Sequence, residues 1–334
     1  MVTVTNVNRG NMSTKFTVLM ANYNNEKYIS EAIESVLNQS FTDWELIVID
    51  DRSTDNSVDI VEYYLNDSRI RLMKNNKNIG YTKTLIQLVS KAKSDIFGTL
   101  DSDDVLTSDA LEEMYHAHET NPQSGLIYSQ YIYCDKKLKP ISQGLSQAIP
   151  NGSTNLKSMY TGAFRTFKRD IYQQTGGFNP KYIYSEDRDI VFKMEEVADV
   201  KYVDKPLYMH RVMLGSQSND PTKKPIGNLF HIIAKYDAFC RRLGTQIPNL
   251  TDKEMSIELC IASIICRRLR QRREANEYSK LAFELNPKLF FSMSNYLFRK
   301  ILTKINKNFK PRSSRSLSKY SEVNKEIRRQ LRST

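Results

Sequence analysis

Two short acidic runs concentrate the chain's chemistry: Asp50-Asp51-Arg52-Ser53-Thr54-Asp55 and Asp101-Ser102-Asp103-Asp104. Carboxylates this close cannot all ionise without a cation or hydrogen-bond donors between them. Their hard oxygens suit Mg2+ or Mn2+, which also bridges to substrate phosphates. A third run, Glu186-Asp187-Arg188-Asp189, adds carboxylates later in the chain. Each run also has a plain structural use. Asp and Ser form turns, and acidic residues at a helix start complement its dipole.

The elements that position these runs read as strand–helix alternation over residues 16–134. Phe16-Thr17-Val18-Leu19-Met20 and Trp44-Glu45-Leu46-Ile47-Val48-Ile49 are buried-strand runs. Between them Ile29, Ala32, Ile33, Val36 and Leu37 recur at helical spacing. Further helices are predicted over 56–65, 82–92 and 108–119, the last capped by Thr107 or Ser108. Strands are predicted over 70–73, 96–100 and 125–133. Such alternation predicts an α/β fold with a mostly parallel sheet flanked by helices. Ligands then bind at the carboxyl ends of the strands, just after Met20, Ile49 and Leu100. The first of these ends carries Ala21-Asn22-Tyr23-Asn24-Asn25, and the other two carry the first acidic runs. No GxGxxG follows the first strand and no GxxxxGK[ST] occurs anywhere, so neither a dinucleotide site nor a P-loop is supported.

Charge divides the chain. Of the net +11 over 334 residues, residues 1–220 carry −5, 221–298 carry +6 and 299–334 carry +10. The basic balance is therefore no argument for nucleic-acid binding by the whole chain. The four cysteines form no CxxC pair, which argues against a zinc site and for reduced thiols. Residues 1–15 lack an apolar signal core, and no run reaches the ~18–20 apolar residues that span a bilayer. A cytoplasmic protein is expected.

Three stretches, 16–24 (FTVLMANYN), 35–41 (SVLNQSF) and 45–55 (ELIVIDDRSTD), resemble the family 2 glycosyltransferases. So do 98–104 (GTLDSDD), 175–178 (TGGF) and 185–189 (SEDRD), the likeness covering roughly 14–218. These are inverting, nucleotide-sugar-dependent enzymes of the GT-A fold. The resemblance implies that Ala21, Asn22, Tyr23, Asp51, Lys83, Asp101 and Ser102 bind a nucleoside-diphosphate sugar, a UDP-sugar foremost. Tyr23 would lie against the base, although a strand-end aromatic can equally serve the core. Asp51 would accept from the base or ribose, and Asp101 would contact the ribose. Asp103 would ligate Mn2+ or Mg2+, and Asp104 would brace the loop. Asp187 matches the family's general base, with Asp189 as a neighbour able to substitute.

Some positions depart from the family pattern. Leu85 and Ile86 stand where an Arg-Asn pair is common, with Lys83 as the available replacement. A frequent metal-ligating His aligns with Met213, while His210 lies three residues earlier and is either a ligand or a packing residue. The Gln-x-x-Arg-Trp signature of processive synthases is absent, and Trp44 is the only Trp. Transfer of a single sugar is implied.

Beyond 220 the pattern turns helical, over 230–242, 255–269 and 274–285. The last resembles the second helix of one tetratricopeptide unit, read as a helical appendage over 221–298 because a single copy cannot bury its face. Leu289, Phe290, Met293, Leu297, Ile301, Ile305 and Phe309 then form one apolar stripe among lysines and arginines. A basic tail over 299–334 is either an interfacial helix on an anionic membrane or a solvated appendage. The combined reading is a catalytic domain over 14–220 that adds one sugar to a glycan or lipid-linked acceptor, peripheral to the inner membrane face, with no nucleic-acid partner. The alternative is a non-catalytic nucleotide-sugar-binding module that recruits partners at the membrane.

Overall fold

The computed structural model describes residues 14–212, 220 and 223–290. Met213, the tail over 299–334 and the apolar stripe beyond Phe290 lie outside the described residues. Within them the chain runs β1 (Phe16–Asn22), α1 (Ile29–Leu37), β2 (Trp44–Asp50), α2 (Ser57–Tyr63), β3 (Ile70–Lys74), α3 (Tyr81–Lys91) and β4 (Ile96–Thr99). It continues with β5 (Val105–Leu106), α4 (Ala110–Thr120), β6 (Ser124–Cys134), β7 (Pro140–Gln143), β8 (Arg165–Lys168) and α5 (Arg169–Gln174). Last come α6 (Glu186–Glu195), β9 (Asp199–Arg211), α7 (Lys224–Arg241), α8 (Asp252–Arg268) and α9 (Arg272–Leu285). It forms two compact units, each discontinuous in sequence.

The first unit takes in the described residues up to Ala148, with Thr161–Gly177 and Val197–Arg211. Its sheet order is β3-β2-β1-β4-β8-β6-β9-β5, with β7 paired to β6. Strands β3, β2, β1 and β4 are parallel, as the alternation predicts. The near-continuous apolar sequences of β1 and β2 follow from burial on both faces. Ile29, Ala32, Ile33 and Val36 of α1 present one apolar stripe to that core. Register sets Asn22 opposite Asp50, so the carboxyl ends of β1 and β2 finish level.

The remaining strands depart from a plain parallel sheet. β8 runs antiparallel to both β4 and β6, and β9 lies parallel to β6. The sheet is mixed, and the α/β class stands. Close packing at β4 requires a glycine, because a Cβ on Gly98 would come within 2.8 Å of the Phe164 ring. The predicted α4 caps are corrected: Asp109 occupies the N-cap with no side-chain cap bond. The Thr107 hydroxyl instead donates to Asp109 Oδ1 at 2.7 Å.

The second unit joins Ile149–Tyr160 and Phe178–Glu196 to the described residues from Val212 onward. Two of these segments come from within the span read as one catalytic domain. What gathers them is Arg242, 2% exposed. Its guanidinium donates to Thr154 Oγ1 (2.7 Å), the Phe192 carbonyl (2.8 Å), Glu195 Oε2 (3.0 Å) and Glu196 Oε1 (3.1 Å). A buried charge needs such full pairing. Helices α8 and α9 form an antiparallel hairpin, with Ser256 and Ser263 donating to the Ala282 and Ala275 carbonyls at 2.8 Å each. A Thr251–Glu254 capping box starts α8.

Candidate functional site

The first unit brings the carboxyl ends of β1, β2 and β4 together and locks each loop with its own polar side chains. Asn22 Nδ2 donates to Asp50 Oδ2 at 2.8 Å, and Asp50 Oδ1 accepts from Ser53 N at 2.9 Å. Asn24 and Arg52 adopt left-handed backbone (φ 55° and 68°). Between these turns Tyr23 stands 49% exposed, an aromatic face open to a planar ligand. Ala21 is half-buried and Asn22 is buried.

Asp51 is 4% exposed and its carboxylate already has a structural occupation. Oδ1 accepts from Asn75 Nδ2 and Ile79 N at 2.9 Å each, and Oδ2 accepts from Gly80 N at 2.8 Å. Gly80 is the N-cap of α3 with φ of 89°, a conformation that favours glycine. Asp51 thus holds the start of α3 against the end of β2.

The loop after β4 is the electrostatic centre. Asp101 Oδ1 accepts from the Tyr81 hydroxyl at 2.6 Å. Ser102, 2% exposed, accepts from Asn25 Nδ2 at 2.6 Å. Asp104, 1% exposed, is held entirely by β9. Its Oδ1 accepts from Arg211 N at 2.7 Å, and its Oδ2 accepts from the Tyr208 hydroxyl at 2.8 Å and pairs with His210 Nδ1 at 2.9 Å. Arg211, itself 1% exposed, fastens the same loop from behind. It donates to the Asp103 carbonyl at 2.6 Å and to Glu31 Oε2 on α1 at 2.7 Å.

This crowding moves the acid–base equilibria. Burial pushes the Asp103 carboxyl up to about 7, reinforced by the charges of Asp104 and Asp101. Asp101 is raised as well, by burial and then by Asp104. At His210 burial disfavours the charged ring, yet Asp104, Asp101 and Asp103 outweigh it and raise the pKa.

No group of three His, Cys, Asp or Glu among the described residues is arranged to hold a metal unaided. A cation shared with a diphosphate needs fewer protein ligands, because phosphate and water oxygens complete its octahedron. Asp103 and His210 fit that more modest role. The carboxyl is crowded by two others, and His210 Nε2 bonds no protein group among the described residues.

Lys83 is exposed on α3, where Tyr81 rather than Lys83 reaches Asp101. Asp187 lies half-buried in the first turn of α6, in the second unit. Asp189, 1% exposed, is paired to Lys193 at 2.7 Å. Tyr81, Tyr208 and Arg211 escape the sequence reading. Tyr208 and His210 share one face of a strand by their two-residue spacing, a signal visible once β9 is known.

The glycosyl transferase family 2 model matches residues 17–176. Chondroitin synthase of Escherichia coli is 32% identical over 200 residues, 59% of this chain and 29% of that protein. Glycosyltransferase GlyG of Streptococcus pneumoniae serotype 4 is 21% identical over 299 residues, 84% of this chain and 97% of that protein. The chain spans under a third of the chondroitin synthases it matches. Among solved structures, S. aureus TarS 1-349 in complex with UDP-GlcNAc superposes with a TM-score of 0.60 at 16% identity, covering 80% of this chain and 81% of that one. Mannosyltransferase PcManGT from Pyrobaculum calidifontis, in complex with GDP-Man and Mn2+, gives 0.54 at 14% identity, covering 88% and 84%. These likenesses establish the GT-A fold.

Proposed function

The chain belongs to glycosyl transferase family 2 through its residues 17–176, and from that premise we propose that it is an inverting transferase moving one sugar from a nucleoside-diphosphate sugar to an acceptor hydroxyl. The carrying observation is the loop after β4, where Asp101, Asp103 and Asp104 crowd together beside His210. Tyr23 stacks on the base; Ala21, Asn22, Asp51, Asp101 and Ser102 line the nucleoside; Lys83 approaches the diphosphate. The TarS complex with UDP-GlcNAc favours a UDP-sugar, and the PcManGT complex favours Mn2+.

Asp103 and His210 would hold Mn2+ or Mg2+, which supplies charge stabilisation for the departing diphosphate. The chain's own residues do the rest. Tyr81 fixes Asp101 against the ribose. Asp187 accepts the acceptor hydroxyl's proton, so that the oxygen attacks the anomeric carbon opposite the leaving group. The acceptor is a glycan or lipid-linked oligosaccharide. The catalytic residues fall within 14–220, with 221–298 a helical appendage and 299–334 a basic segment that places the enzyme on the inner membrane face. No described helix is long and apolar enough to cross a membrane.

A thermal-shift screen of nucleoside-diphosphate sugars with Mn2+ tests the binding half of this reading, since a ligand of the folded state raises apparent stability. Stabilisation by a UDP-sugar that requires Mn2+ and vanishes in Asp103→Ala supports it. Equal stabilisation of both proteins overturns Asp103 as the metal residue.

A further inference from the structure

Asp104 is the one carboxylate of its loop with every bond directed at β9. Arg211 N is a backbone donor and cannot reverse its role, so it claims Oδ1. Oδ2 faces the Tyr208 hydroxyl and His210 Nδ1. An ionised carboxylate can only accept. Neutral His210 must therefore carry its hydrogen on Nδ1, which leaves the Nε2 lone pair for a ligand. Tyr208 shares the same oxygen and buttresses the pair, and Arg211 pins the strand from its far side through Glu31.

We propose that Asp104 is a positioning residue that sets the tautomer and ring orientation of His210, so that Nε2 is the nitrogen offered to the divalent cation. This rests on His210 being a metal ligand as read above. These hydrogen bonds form without the cation. Carboxylate or carbonyl partners behind a ligating imidazole fix its tautomer and raise its basicity, and their loss typically costs about 10–100-fold in metal affinity.

Asp104→Asn is the discriminating variant, because it keeps the size and changes one acceptor into a donor. Arg211 N holds the amide oxygen in place, so the amide nitrogen must face His210. The ring answers by accepting at Nδ1 and moving its hydrogen to Nε2, and a nitrogen bearing hydrogen cannot ligate. The test starts with the metal-free protein labelled with 15N-histidine. Spectra are recorded at a pH where the ring is neutral, and His210 is assigned by its disappearance in His210→Gln. Wild type and Tyr208→Phe should show hydrogen on Nδ1, and Asp104→Asn should show it on Nε2. Electron paramagnetic resonance of free Mn2+ with UDP present should then give a dissociation constant about 10–100-fold weaker for Asp104→Asn.

An unchanged tautomer in Asp104→Asn overturns the proposal. A flipped tautomer with Mn2+ affinity within twofold of wild type also overturns it, and the cause is located by His210→Gln. If that variant too binds Mn2+ normally, His210 is not a ligand and the earlier reading has failed. If it binds weakly, His210 ligates and the role given to Asp104 has failed.

Discussion

The carboxylate of Asp51 closes on the first turn of α3, with Oδ2 accepting from Gly80 N at 2.8 Å. The bond ties the end of β2 to a helix three elements later, so one residue serves both the scaffold and the rim of the candidate nucleotide site. Asn75 and Ile79 complete the arrangement on Oδ1.

Asp51→Ala should be costly on both counts. It strands the part-buried backbone donors of Ile79 and Gly80, and an unpaired donor costs roughly 1 kcal/mol or more when water reaches it poorly. Urea unfolding should show a loss of about 2 kcal/mol. Asp51→Asn keeps an acceptor and should lose less, while KM for the nucleotide sugar rises.

Asp103 makes metal binding sensitive to pH. Its folded pKa, near 7, lies above the ordinary 3.8, so the metal-free fold takes up a proton that the unfolded chain releases. The stability this contributes is present at low pH and disappears as pH rises through about 7. A cation competes with that proton. Mn2+ affinity should fall steeply below pH 7 in the wild type, and an Mn2+ titration on either side of that pH checks it.

His118 contributes to acid stability. It is 1% exposed, its Nε2 meets Thr166 Oγ1 at 2.9 Å, and burial lowers its pKa from 6.5 to about 3. The unfolded chain therefore binds the proton first. Stability falls as pH drops below 6.5, by up to about 1.4 kcal/mol per pH unit for this group. His118→Gln should flatten that part of the stability profile, read from thermal melts over the acid range.

Gly98→Ala should destabilise the centre of the sheet. The added methyl meets the Phe164 ring at 2.8 Å and Thr166 at 3.0 Å, and overpacking of this kind costs about 1–3 kcal/mol. A denaturant midpoint shift with an unchanged slope measures it.

The legible part of the fold was the part with local signals. β1, β2 and α1 carry apolar runs and 3–4 spacing that burial on one side or two demands. β9 did not announce itself, because its 13 residues mix Lys and Asp with apolar positions and most stay partly exposed. The short β8 runs antiparallel between β4 and β6 without any periodic pattern of its own. Nor could spacing reveal that Arg242 reaches Thr154, 88 residues earlier, and so draws 149–160 into the helical unit.

The site was legible in the same uneven way. Composition marked the acidic loops at the strand ends, where the parallel topology puts ligands. Composition alone left Asp103 and Asp104 alike; the family resemblance gave Asp104 the bracing role, and the structure shows its carboxylate engaged by β9. That division depends on which carboxylate a distant strand faces.

Inverting sugar transfer is read from the anomeric proton of the product. Wild-type protein with Mn2+, an α-linked UDP-sugar and a panel of glycan acceptors should be followed by proton NMR as UDP is released. A new β-configured glycoside is expected, with turnover lost by about 10²–10⁴-fold in Asp187→Asn, as for removal of a general base. An α-configured product, or unchanged turnover in Asp187→Asn, would contradict it.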